Sequence, residues 1–129
     1  MTDPERPYNE AMNYMLLMYL PESRDNDADR SDENILECAI PVVERTTASG
    51  HYVAAGVLRP TSSATSVQLR DGQRLVTDGP FAETREQLAG YLLINANNLD
   101  EAIQIAAEHP AALDGTVEIR PIIPLPPSA

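Results

Sequence analysis

The sequence predicts a single α+β domain in which two helices cover one face of an antiparallel sheet. Three observations carry this: short apolar runs of strand length, two stretches with apolar residues at helical spacing, and the order in which they alternate. With 129 residues the chain has room for one core, burying roughly two-thirds of its unfolded surface, and none for a second.

Residues 14–20 are an apolar and aromatic run that stops at Pro21, which reads as a buried first strand. From Glu22 to Glu33 the chain is almost wholly charged or polar, so it reads as a solvated loop outside any core. Ser31 is placed to cap a helix beginning near Asp32, where Asp32 and Glu33 suit the positive end of the helix dipole. Ile35, Leu36, Ala39, Ile40, Val43 and Thr46 then follow as one stripe. Pro41 interrupts it, predicting either a kink or a main helix that starts late with Pro41 in its first turn. Ser49-Gly50 ends the segment.

Residues 53–58 read as the second strand, with Gly56 allowing a bend or a close backbone approach and Pro60 ending it. Residues 66–69 and 74–77 flank Asp71-Gly72, the signal of an inserted hairpin. Asp78-Gly79-Pro80 supplies a tight reversal, since Gly79 tolerates positive φ and Pro80 fixes its own. Glu83 and Thr84 are read as opening a helical turn over residues 85–87. Residues 88–96 supply the third main strand. Leu99, Ala102, Ile103, Ala106 and Ala107 mark a second helix capped near Asn97 or Asn98, and residues 116–122 form the last strand.

Strand, helix, strand, hairpin, strand, helix, strand is the split βαβ order of ferredoxin-like folds, βαββαβ with an inserted hairpin. Such a sheet leaves one face open. Tyr91, Leu93, Val117 and Ile119 are read as apolar residues of that face, for which a second copy of the chain is the expected cover. The domain spans residues 13–122, between an N-terminal tail (1–12) and a Pro-rich C-terminal tail (123–129).

With 9 basic and 20 acidic residues the net charge is −11, which repels phosphate backbones and anionic lipids and disfavours direct nucleic-acid binding. No apolar run approaches the ~20 residues needed to cross a bilayer. The N-terminus is acidic where a signal peptide would be basic then apolar, so neither membrane insertion nor export is expected. The single cysteine, Cys38, excludes an internal disulfide or a multi-thiolate metal site, and the expected location is the cytoplasm.

Chemistry is sparsely encoded. Asp78 and Glu83 flank Phe81 on the loop braced by Pro80. Two carboxylates beside an apolar ring suit general acid and base roles, although both also suit local structure, Asp78 as a turn residue and Glu83 as a helix-start residue. Phe81 either plugs the core or walls a cleft. Arg120 shares a strand face with Glu118, so it either binds a carboxylate ligand or pairs with that glutamate. Tyr14, Asp78, Phe81 and Arg120 are the candidate ligand-binding residues. His109, at the end of the second helix, reads as a protonated ring complementing the dipole, and His51 as an exposed loop residue. Cys38 reads as a core or boundary residue. The histidines stand apart from any metal-ligand spacing, and no Gly-rich phosphate loop or nucleophile elbow occurs, so no metal and no cofactor is expected.

The stretch DGPFAETREQLAGYLLI, the later segments LDEAIQIAAEHPAA and GTVEIRP, the run YMLLMY and Gly56-Val57-Leu58-Arg59-Pro60 together resemble the DGPF branch of the YCII-related family. The likeness runs from about Asn13 to Pro121 and leaves out both tails. It implies a bacterial protein whose ferredoxin-like unit pairs through the open sheet face into a dimeric α/β barrel, with no settled activity. Some members of that branch are joined to sigma-factor-like domains, which implies a protein partner in transcription. The histidine–aspartate pair suspected of catalysis in the wider family does not carry over, because residues 31–50 hold no histidine. The lack of a histidine beside the motif favours a ligand-binding or regulatory module over the alternatives. Those are a small enzyme acting on an organic acid or aromatic by carboxylate-based proton transfer, and an inert dimer.

Overall fold

A computed structural model of the chain describes residues 12–21 and 32–125. The expected Ser31 cap, most of the acidic loop and the ends of both tails lie outside the described residues. The elements are β1 (Met12–Pro21), α1 (Asp32–Ala48), β2 (Tyr52–Val57), a 3-10 turn (Thr61–Ser63), β3 (Thr65–Arg70), β4 (Gln73–Asp78), β5 (Glu86–Ala96), α2 (Leu99–Ala107), α3 (Ala111–Asp114) and β6 (Thr116–Pro121). The main sheet has the order β2-β5-β1-β6 with every neighbouring pair antiparallel, the ferredoxin-like α+β arrangement.

The alternation of β1 decides the two faces. Tyr14, Leu16 and Met18 are buried and lie opposite Ile94, Leu92 and Gly90 of β5. With Ala96, Val42 of α1, Ala102 and Ala106 of α2 and Ala111 of α3, they form one core between sheet and helices. Met15 and Leu17 point the other way, opposite Leu93 and Tyr91. β6 follows the same register: Ile119 lies opposite Leu16 and Val117 opposite Met18, so both pack on the helix side. The expectation that Val117 and Ile119 belong to the open face is therefore corrected. That face takes Glu118 and Arg120 from β6, because cross-strand partners share a side and Leu17 and Met15 fix it. A register shift in the β1–β5 pairing between Met18 and Tyr19 sets Tyr19 opposite Leu88.

Helix α1 is continuous from Asp32 to Ala48 with Pro41 inside it, so Pro41 does not lie in the first turn, and the two halves differ in packing. Val42 and Thr46 are buried, whereas Leu36 and Ile40 are 53% and 48% exposed. Thr46 bonds back to the Val42 carbonyl at 2.8 Å, which satisfies a hydroxyl that would otherwise be orphaned in the core. Helix α2 is capped reciprocally. Asn98 accepts from the Glu101 amide at 2.9 Å, and Glu101 accepts from the Asn97 amide at 2.8 Å.

The β3–β4 hairpin forms its own two-stranded sheet. Its turn has φ of 53° at Asp71 and 79° at Gly72, the positive pair that suits a right-twisted hairpin. Beyond it the chain turns at Gly79, where φ is 105°. The corner is held by the Gly79 amide donating to Ala64 at 2.7 Å and by Ser66 donating to the Gly79 carbonyl at 2.7 Å. The helical turn expected over residues 85–87 is absent. Thr84 donates to the Glu86 carbonyl and Gln87 to the Thr84 carbonyl, and β5 starts at Glu86 because its pairing with Pro21 claims the backbone there.

Candidate cleft between the first helix and the sheet

Where the exposed half of α1 stands off the sheet, an apolar cleft of about 650 Å³ opens. Ile35, Ala39 and Val43 of α1 form one wall, Tyr52, Ala55 and Leu92 of the sheet the floor, and His109 to Ala111 with Asp114 one end. Volume and composition fit a small-molecule site. Arg59 and Asn34 also line it, and each is already partnered.

His109 is the polar group whose geometry is most defined. The Ala111 amide donates to its Nδ1 at 3.0 Å. Burial, with a smaller contribution from the positive charge of Arg45, lowers its pKa below the ordinary 6.5. The ring is therefore held neutral, which corrects the reading of a protonated imidazole complementing the dipole. Arg45 occupies the end of α2 instead, donating to the Glu108 carbonyl at 3.2 Å and lying 3.7 Å from its carboxylate.

His51 is half-buried, contrary to its reading as an exposed loop residue. Its Nδ1 lies 2.9 Å from the Asn95 carbonyl and 3.7 Å from Glu101, at the edge of a smaller niche of about 180 Å³. The carboxylate it faces already serves the α2 cap.

The candidate residues read from sequence are dispersed. Tyr14 is a core residue under the helices. Asp78 sits exposed at the end of β4, Glu83 is exposed on the following loop, and Phe81 is 87% exposed, neither plugging the core nor walling the cleft. Arg120 lies 3.3 Å from Glu118, with which it was expected to pair, and Glu118 also accepts from the Tyr19 hydroxyl at 3.4 Å. Cys38 is exposed on α1 and belongs to the cleft lining, not to the core. The cleft's own residues escaped the sequence reading because the apolar stripe of α1 looked like core along its whole length. The His109-Pro110 pair was a signal, read for its charge and not for its position between two helices. Among the described residues no three His, Cys, Asp or Glu side chains converge, and no helix is long and apolar enough to cross a membrane.

The class defined by this architecture is a ferredoxin-like α+β protein with one sheet face left uncovered by the described residues and an apolar cleft under its first helix. The chain belongs to the YCII-related domain family, whose model matches residues 12–126. It is similar to the uncharacterized protein R00369 of Rhizobium meliloti (strain 1021), 34% identical over 114 residues that cover 86% of this chain and 92% of that relative.

Proposed function

We propose that this chain is a small ligand-binding or regulatory module that works as a homodimer, with the cleft under α1 as its ligand seat. The observation that carries the reading is the cleft itself: about 650 Å³ of mostly apolar space beside a half-exposed helix and a histidine held neutral. A binding module fits better than an enzyme because the two carboxylates suited to proton transfer, Asp78 and Glu83, are outside the cleft lining. The homodimer is supported by the apolar open face, where Met15, Leu17, Tyr91 and Leu93 meet. Membership of the DGPF branch rests on Asp78-Gly79-Pro80-Phe81, and a sigma-factor-like partner rests on that likeness alone.

Thermal unfolding in the presence of small aromatic compounds tests the seat. A ligand at 100 times its dissociation constant adds about 2.7 kcal/mol of stability. Ala39→Trp, which fills the cleft, is expected to remove that gain while the variant still folds. Ligands that stabilise both chains equally would place the binding elsewhere.

A further inference from the structure

The α2–α3 connection makes His109 into a donor of fixed direction. The Ala111 amide can only donate, and it lies 3.0 Å from Nδ1. Nδ1 must therefore present its lone pair, and the proton of the neutral ring is on Nε2. With Nδ1 engaged by its own backbone, Nε2–H is the ring's remaining hydrogen-bonding atom, on a residue that lines the cleft.

The surroundings decide what that donor accepts. The lining is mostly aliphatic, with Ile35, Ala39 and Val43 on the helix wall and Leu92 in the floor, so a ligand must bring apolar surface. A carboxylate entering here loses its hydration and meets a neutral ring. It also meets Asp114 at the same end of the cleft, in a chain of net charge −11. Arg59, two residues beyond β2, also lines the cleft and has a partner of its own, so its charge is not held in reserve for a ligand alone.

We infer that the cleft selects uncharged, ring-sized molecules carrying an acceptor oxygen, such as ketones, with His109 Nε2–H donating to that oxygen. This inference rests on the cleft being a ligand seat, and it adds the chemical class of the ligand.

Equilibrium dialysis with three probes of one shape tests it: 1-acetonaphthone, 1-ethylnaphthalene and 1-naphthoate. The ketone is expected to bind roughly three- to tenfold more tightly than the hydrocarbon, as one added hydrogen bond provides. The carboxylate should bind more weakly than the ketone. In His109→Phe the ketone's advantage should vanish while the hydrocarbon is still held. Equal affinities for ketone and hydrocarbon in the unmodified chain, or an advantage that survives in His109→Phe, overturn the selection but leave the seat standing. Binding of none of the three overturns both. A nitrogen-15 NMR spectrum of the imidazole in the unmodified chain provides a readout that needs no variant. It should report the Nε2–H tautomer, with the Nε2 resonance moving on addition of the ketone and not of the hydrocarbon; an Nδ1–H tautomer overturns the inference.

Discussion

The ring of Tyr91 lies across Gly56: a Cβ built on Gly56 would stand 2.7 Å from Tyr91 Cε1. The two residues are cross-strand partners of β5 and β2 on the open face, where a glycine without a side chain lets the aromatic ring cover the neighbouring strand.

Gly56→Ala is expected to destabilise the protein by about 1 kcal/mol, since the ring can swing aside at the expense of its packing. Tyr91→Leu in the same chain should recover most of the loss. A double-mutant cycle from urea denaturation checks the coupling, and additive effects would refute the contact.

Gly115→Ala should be worse. Its Cβ would stand 2.0 Å from the Tyr19 carbonyl oxygen, which is backbone and cannot rotate away, so β6 must shift against β1. A loss of about 3 kcal/mol is expected. Urea midpoints for the two alanine variants side by side provide the comparison, and equal losses would contradict the difference between a movable and a fixed neighbour.

Asn98→Ala removes the acceptor of the Glu101 amide at the start of α2 and is expected to cost about 1 kcal/mol. Asn98→Asp should retain most of the stability. Both are read by thermal unfolding.

His109 makes stability depend on pH with a definite sign. Burial first, and Arg45 second, lower its folded pKa below 6.5, so the unfolded chain takes up the proton at higher pH than the folded one. The contribution of the neutral ring is complete above about pH 6.5 and is lost as pH falls through the folded value beneath it. Urea midpoints compared between the unmodified chain and His109→Phe should diverge on acidification in that window, with the unmodified chain falling faster.

Leu17→Glu places a carboxylate in the middle of the open face, opposite Tyr91. If that face joins two copies, the variant sediments as a single copy at micromolar concentration while circular dichroism keeps the same secondary structure. An uncompensated buried charge weakens association by about a hundredfold or more. An unmodified chain that is already a single copy at that concentration would end the homodimer reading.

The sheet was legible in the sequence because its central strands carry an unambiguous pattern. Residues 14–20 and 88–96 are apolar on both faces, and the Asp71-Gly72 turn could be seen from the dipeptide alone. The faces of β6 were not, since Val117-Glu118-Ile119-Arg120 alternates cleanly but says nothing about which set meets the helices; that is fixed by the pairing with β1. The segment after Pro80 misled for a related reason. Thr84 followed by Arg85, Glu86 and Gln87 has the composition of a helix start, yet β1 offers an unpaired edge at that point and the ladder wins. The residues that line the cleft were not legible either, because a stripe at helical spacing shows which side of α1 faces inward, not how closely each half approaches the sheet.

The hairpin β3–β4 shares no strand with the main sheet. Residues inserted at its Asp71-Gly72 tip would change no register in the core. That tip is accordingly the place to attach a fluorophore or graft a peptide, giving a reporter on the intact molecule whose attachment point lies outside the cleft lining.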